Sequence, residues 1–401
     1  MSGPLAGRRL WFVGIGGAGL SAYAVLAKAW GAEAAGWDRV ETPYLEHVRA
    51  AGIDVTLLTE PAPAPPGWET VVSTAFAGRV DGTSRATFLA ELVSLRRSIV
   101  VSGAHGKTTT AAMIAFCLDR LGLDPAFLIG GEVPQLGGNA RAGDGWLVVE
   151  GDESDRTIAS LKPEIAVVTN VDLDHHSTFA SRAEVEALFS EWLRAVPNVV
   201  RGDELAPVDV ELAVPGEHNR RNAACALAAL ELAGVDVAAA ADALREFRGA
   251  GRRLELRGEA GGVAVYDDYA HNPAKVDALV GAARERAGDG RVLIAFQPHL
   301  YSRTRHLARE LAMSLTAADA VCVTDVYPAR EEPIDGVTGK LVVDAAAETR
   351  PGMTLGWTPA LDDAAAFLAR RARAGDVAVT VGAGDVDRVA TLVLARLSTS
   401  G

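Results

Sequence analysis

Only three cysteines occur in the 401 residues, Cys117, Cys225 and Cys322. They lie far apart with no CxxC or Cys/His spacing, so neither a disulfide framework nor a zinc site is expected. No apolar run is long enough to span a bilayer. The one after Arg8 and Arg9 is broken at once by Gly14, Gly16, Gly17 and Gly19, so no signal peptide or membrane span is expected, and the reducing cytoplasm is the expected compartment. Basic charge is in deficit: the formal net charge of −13 disfavours non-specific binding to nucleic acid or to an anionic membrane surface. Internal repeats and low-complexity tracts are absent as well. The composition, 49% apolar and 23% charged, is that of an ordered globular chain. Its length calls for two or three cores rather than one.

Short Val- and Ile-rich runs alternate with Ala- and Leu-rich amphipathic stretches almost from end to end, the pattern of parallel sheets covered by helices, so the fold class is α/β. Strands are expected at 10–13, 98–101, 146–149, 165–169, 263–266, 292–296, 320–324 and 377–381, with helices after many of them. The stretch with Pro61, Pro63, Pro65 and Pro66 reads as a surface loop, because a strand-like run at 70–73 follows directly. One boundary falls near 95–97, ahead of a strand that feeds a phosphate loop. Another falls near 247–252, in the Gly-broken basic turn "FRGAGRR". Three α/β units result: 1–95, 96–248 and 249–401.

Gly14-x-Gly16-x-x-Gly19 stands between an apolar strand and an Ala-rich helix, with Asp38 at the end of a second expected strand. Such glycines permit a tight turn and bring backbone amides close to a diphosphate, whether of NAD, FAD or a UDP-sugar. The segment "VVSGAHGKTTTAAMIAF" is more specific. Gly103 and Gly106 free the backbone to wrap phosphate oxygens, Lys107 supplies a point charge, and Thr108 offers a hydroxyl to Mg²⁺ as a helix begins. Val101 stands where the full Walker spacing has glycine, which points away from a generic P-loop ATPase.

Further on, "WLVVEGDESD" places Glu150, Asp152, Glu153 and Asp155 just beyond a strand, where Mg²⁺ bridging phosphates would neutralise them. "TNVDLDHH" repeats the geometry, and a histidine beside a carboxylate at a strand end suits a second metal ligand. Asn219 and Asn222, three residues apart on one helix, share a face that suits an adenine edge or a ribose, although helix capping by Asn219 explains that residue equally well. Arg252, Arg253, Asp267, Asp268, Tyr269, His271, Arg303 and Arg305 sit at loop ends of the last unit, where arginines suit phosphate or carboxylate groups.

Taken together, "FVGIGGAGLS", "SGAHGKTTT", "VEGDESD", "VVTNVDLDHH", "HNRRNA", "GRRLE", "DDYAHNP", "FQPHLYSRT" and "GAGDV" resemble the Mur ligases, in family order over nearly the whole chain. The resemblance implies three domains: a Rossmann-like N-terminal UDP-sugar domain, a P-loop-type central ATPase domain and a Rossmann-like C-terminal amino-acid domain. By motif, Gly14, Gly16, Gly17, Gly19, Asp38 and Ser73 would bind the UDP-sugar. Gly103, His105, Gly106, Lys107, Thr108, Thr109, Asn219, Asn222, Arg253 and Asp268 would bind ATP. Thr108, Glu150 and His175 would hold Mg²⁺, and Tyr269, His271, Arg303 and Arg305 would hold the amino acid. Lys107, Glu150, His175, Arg253 and Asp268 would carry catalysis.

The implied reaction is ATP-dependent ligation of L-alanine to UDP-N-acetylmuramate through an acyl phosphate, in a monomer or homodimer. Three departures from the family pattern stand out. Ala104 replaces a threonine in the phosphate loop, Asn272 and Ala274 turn "HHP" into "HNPAK", and only 41 residues separate His176 from His218, so the central domain is expected to be shortened. A ligase recycling a murein tripeptide, or one using another amino acid, stays open. So do a nicotinamide-dependent dehydrogenase, which leaves the Lys107 loop unexplained, and a non-ligating ATP hydrolase.

Overall fold

Apolar runs form strands here because the sheets are covered; the first carries helices against Leu10 and Phe12 on one face and the proline-rich loop against Trp11, Val13 and Trp37 on the other. The computed structural model describes residues 3–173, 178–329 and 331–399, and its strands form three sheets. The first holds β1 (Arg9–Val13), β2 (Glu33–Asp38), β3 (Asp54–Leu57), β4 (Glu69–Val72) and β5 (Thr83–Ser84), all parallel, in the order β3-β2-β1-β4-β5. The second holds β6 (Ser98–Ser102), β7 (Ala126–Val133), β8 (Gly138–Arg141), β9 (Leu147–Glu150), β10 (Ile165–Val168) and β11 (Asn198–Arg201), in the order β11-β10-β6-β9-β7-β8; only β7 and β8 pair antiparallel.

The third holds β12 (Glu255–Ala260), β13 (Val263–Asp268), β14 (Val292–Phe296), β15 (Ala320–Val323), β16 (Thr354–Trp357) and β17 (Val377–Val381), in the order β12-β13-β17-β14-β15-β16, with β12 antiparallel at one edge. Every strand expected from the sequence forms, with ends displaced by at most two residues. After β11 a loop leads to the helix Glu217–Leu232 with no further strand.

Two compact units emerge: residues up to 212 together with 220–248, and residues 213–219 together with 249 onward. The first two sheets share the first unit. The helix Ala18–Ala29 packs on β2 and on the β7–β8 edge, and one apolar cluster runs from Phe12, Leu26 and Phe88 to Val149, Phe189 and Trp192. The indoles of Trp11 and Trp37 donate to Ala62 O (3.2 Å) and Leu58 O (3.0 Å), which pins the proline-rich loop onto the sheet.

In the second unit β14 shows why a central strand is apolar throughout: Val292, Ile294 and Phe296 enter the core on one face, Leu293 and Ala295 on the other. The three cysteines are free and buried in these cores. Burial pushes the thiols of Cys117 and Cys322 up to about 12 and that of Cys225 up to about 11.

Phe88 is fully buried and meets Phe12 edge to face at 5.8 Å between centroids. Phe88→Ala is expected to destabilise the first unit by about 3–5 kcal/mol, measured as an earlier urea midpoint for that unit's unfolding transition.

Candidate active site

β6 ends at Ser102 and the helix Lys107–Arg120 begins at once, so residues 103–106 must turn the chain. Gly103 (φ 131°) and Gly106 (φ 83°) adopt angles that a β-carbon resists. Space forbids one as well: it would strike Thr169 and the Asn170 backbone at Gly103, and the Asn222 amide oxygen at Gly106. β10 neighbours β6, so the residues after β10 reach the turn and clamp it. Thr169 Oγ1 donates to His105 O (2.6 Å), Asn170 Nδ2 donates to the same carbonyl (2.8 Å), and His105 N donates to Asn170 Oδ1 (3.0 Å). Thr169 was not among the site residues expected from the sequence, and Asn170 was expected only as part of the "TNVDLDHH" run at the strand end, not as a clamp on the turn. The polar pair ending an apolar strand, "VVTN", was the available signal. Ala104 is buried, and its amide donates to Asn170 O (3.3 Å), so the backbone shapes the turn whatever side chain stands there.

Lys107 points back into this turn. Its Nζ donates to Gly103 O (2.6 Å) and to both Glu153 oxygens (2.9 and 3.1 Å), and Glu153 is only 2% exposed. Burial pulls the Lys107 pKa down, but Glu153, with Glu150 and Asp152 behind it, outweighs burial and holds it above the ordinary lysine value. Glu150, at the end of β9, accepts from Thr108 Oγ1 (3.0 Å) and Gly130 N (2.7 Å). Thr109 is buried in the first helical turn.

The four carboxylates expected to share a cation have separate partners. Asp152 accepts from Ser154 N (2.8 Å), Glu153 from Lys107, and Asp155 from Thr157 N (3.0 Å) and Arg85 (3.0 Å). Among the described residues no group of three or more His, Cys, Asp or Glu is placed to hold a metal. The Thr108 hydroxyl and Glu150 carboxylate are adjacent hard oxygen donors of the kind Mg²⁺ prefers. His175 lies outside the described residues.

The glycine turn after β1 sits where strand order reverses, between β1 and β4, the usual place for a ligand crevice. Gly14 lies under Ser73, which arrives from the end of β4. The turn's amides, however, are engaged internally. Gly14 N and Ile15 N donate to Trp37 O (2.8 and 3.1 Å), Gly16 N to the Asp38 carboxylate (2.7 Å), and Gly17 N to Gly14 O (3.2 Å). Asp38, expected to face a ligand, is 8% exposed and turned onto the turn itself. Gly19 stands apart, in the first turn of the helix Ala18–Ala29 and against Arg85.

On the helix Glu217–Leu232 the two asparagines differ. Asn222 lies against Gly106, whereas Asn219 Nδ2 donates to Pro215 O (2.7 Å), a local bond at the helix start rather than a shared ligand face.

In the second unit, loops after β13, β14, β15 and β17 gather at the carboxyl end of the third sheet. Asp268 accepts from Leu254 N and Ala270 N (both 2.7 Å), tying the "GRRLE" turn to the end of β13. Burial pushes its carboxyl up to about 6 against the pull of Arg253 and those amides. Arg252 and Arg253 each lie over the Tyr269 ring at 5.2 Å, and Arg252 also pairs with the buried Asp267 (2.8 Å). His271 meets Tyr269 at 5.4 Å and His299 at 5.8 Å between centroids. His299 in turn stacks on Tyr327 and contacts Arg303 through Nδ1 (3.3 Å).

His299 and Tyr327 were missed in the sequence because they join this group through sheet order, not spacing. Arg305 does not join it: two residues past Arg303 on the helix Tyr301–Leu315, it turns to the opposite side and is exposed. The "HNPAK" change has a structural reading. Asn272 caps the helix Pro273–Ala287 by accepting from Lys275 N (2.9 Å), with Pro273 at the first helical position.

Two outcomes follow from this geometry. Asn170→Ala is expected to loosen the turn around His105, read as faster amide hydrogen exchange at residues 103–106 than in the unsubstituted chain. His299 is held down to about 4, first by burial and then by Arg303, with Glu331 opposing. Its imidazole is therefore expected to stay neutral through pH 6.5 and to titrate near 4 by NMR. Because the folded value lies below the unfolded one, the contribution of His299 to stability is present above pH 6.5 and is lost as pH falls toward 4.

Three family profiles match in chain order: "Mur ligase family, catalytic domain" at 9–97, "Mur ligase middle domain" at 101–200 and "Mur ligase, glutamate ligase domain" at 252–384. A UDP-N-acetylmuramate–L-alanine ligase of Streptomyces avermitilis is 37% identical over 468 aligned positions, covering 98% of each chain. One of Kineococcus radiotolerans is 39% identical, covering 97% of this chain and 96% of the relative. The alignment of 468 positions exceeds the 401 residues of this chain, so the relative carries segments missing here. The crystal structure of a UDP-N-acetylmuramate–alanine ligase from Thermotoga maritima superposes with a TM-score of 0.83 at 25% identity, covering 98% of this chain and 100% of that one. A murein peptide ligase from Psychrobacter arcticus shares the fold at a TM-score of 0.64 and 24% identity, covering 98% of this chain and 99% of that one. Among the described residues no helix is long and apolar enough to cross a membrane. With profiles over most of its length and relatives above one third identity along nearly all of it, the chain belongs to the Mur ligase family.

Proposed function

We propose that the protein is an ADP-forming ligase that joins L-alanine to UDP-N-acetylmuramate at the expense of ATP, in the synthesis of peptidoglycan precursors. The observation that carries the reading is Lys107, an ammonium aimed into a clamped glycine turn beside the Thr108–Glu150 pair. Full-length relatives named for this reaction support the choice of substrates.

In the first half-reaction a lactyl carboxylate oxygen attacks the γ-phosphorus of ATP and the bond to the β–γ bridging oxygen breaks, giving an acyl phosphate and ADP. The amides that open the helix Lys107–Arg120, together with the Lys107 side chain, would hold the phosphates and offset the charge that builds on the leaving oxygen. Thr108 and Glu150 would hold Mg²⁺, which when bound neutralises phosphate oxygens. In the second half-reaction the amine of L-alanine attacks the acyl carbon, inorganic phosphate leaves, and the amine gives up a proton. Tyr269, His271 and Arg303, with His299 beside them, are the residues of the second unit proposed to receive the amino acid; the guanidinium suits its carboxylate. Arg253 and Asp268 are proposed to serve the nucleotide, Asp268 by fixing the turn that carries Arg253. The shortened central domain is read as a loss of sheet edge after β11, because the strands that carry Lys107, Glu150 and Asn170 are all present. A cytoplasmic site of action fits these soluble substrates.

The test is purified protein with ATP, Mg²⁺ and UDP-N-acetylmuramate, given in turn L-alanine, glycine, L-serine or the murein tripeptide. Phosphate release is expected only when sugar nucleotide and L-alanine are both present. Release with neither, or NADH turnover, would overturn the proposal. Lys107→Ala is expected to lower ligation by at least about 10²-fold with unchanged circular dichroism; full activity in that variant would show the phosphate turn to be misassigned.

A further inference from the structure

The glycine turn after β1 is poorer in anion-binding groups than its sequence implies. The amides of Gly14, Ile15, Gly16 and Gly17 already have partners within the turn and on β2, and the Asp38 carboxylate, bonded to Gly16 N, adds negative charge there. A sugar nucleotide is itself anionic, so a cation beside the turn would add attraction that these engaged amides do not supply.

Arg85 is placed to supply it. It opens the helix Arg85–Ser94 directly after β5, and its guanidinium presses on the third glycine, where a β-carbon on Gly19 would lie 3.0 Å from Nη1. Nη1 also contacts the Tyr23 hydroxyl (3.4 Å), and Nη2 donates to Asp155 Oδ2 (3.0 Å). The Arg85 and Asp155 side chains remain 22% and 33% exposed, so a dissolved anion can reach the pair. Asp155 belongs to the same acidic loop as Glu153, which occupies Lys107 at the nucleotide turn. That loop thus presents one carboxylate to each of two cations, one beside the phosphate turn and one beside the sugar-nucleotide turn.

We propose that Arg85 binds an anionic group of the sugar nucleotide, its diphosphate or its lactyl carboxylate, and that Asp155 is the internal carboxylate this group displaces. The inference rests on the reading that UDP-N-acetylmuramate is the substrate. Removing the cation weakens substrate binding, whereas removing its internal competitor strengthens it. A salt bridge with only a structural role predicts loss from both changes.

Titration calorimetry on the full chain, with UDP, UDP-N-acetylglucosamine and UDP-N-acetylmuramate, separates these. Arg85→Ala is expected to raise the Kd for UDP-N-acetylmuramate at least ten-fold, with ATP affinity within two-fold, and Arg85→Lys to recover part of the loss. Asp155→Asn is expected to lower that Kd several-fold. Equal weakening of UDP in Arg85→Ala would place the diphosphate on Arg85; weakening confined to UDP-N-acetylmuramate would place the lactyl carboxylate there. Either supports the proposal. Unchanged binding in Arg85→Ala, or weaker binding in both Arg85→Ala and Asp155→Asn with a lowered Tm, overturns it while leaving the substrate reading intact. Absence of sugar-nucleotide binding by the unsubstituted protein would remove both.

Discussion

A buried ammonium is tolerable only when carboxylates and carbonyls surround it, and Lys107 meets that condition through Glu153 and Gly103 O. Much of the first unit is arranged around this requirement. β6 delivers the lysine, β9 delivers Glu150 and the loop bearing Glu153, and β10 delivers Thr169 and Asn170, which keep the intervening turn open. The same contacts keep the lysine charged where burial alone would favour the neutral amine. The Lys107 site is therefore a closed circuit of internal charges rather than an open positive pocket.

Features set by local chemistry were legible in the sequence. Strands buried on both faces read as unbroken apolar runs, and the tight turn before Lys107 was recognisable from Gly103 and Gly106, which adopt angles that a β-carbon resists. The proline-rich segment was readable as a loop for the same reason: it cannot pair as a strand. Features set by sheet order were not legible. The clamp on His105 joins residues more than sixty positions apart, and His299 meets His271 and Tyr327 only because β14 lies between β17 and β15. The acidic run shows the contrast most clearly. Composition suggested one cation site, but the twist of the loop sends successive carboxylates to a lysine, an arginine and backbone amides.

Departures from the family pattern acquire physical meanings in the fold. Ala104 enters the turn through its backbone amide, and Asn272 serves as a helix cap. Asp38 is the more instructive case. In a dinucleotide site an acid at the end of the second strand faces the ribose, but here it faces the Gly16 amide and closes the turn upon itself. The glycines thus serve the backbone shape of the turn.

The burial of Cys117, Cys225 and Cys322, each with its thiol pushed well above the ordinary range, has a practical side. Thiolate is scarce at neutral pH and the sulfurs are shielded, so alkylating probes and oxidants find little to react with in the folded chain. A cysteine introduced on the surface of either unit would therefore take up a fluorophore or spin label with little background.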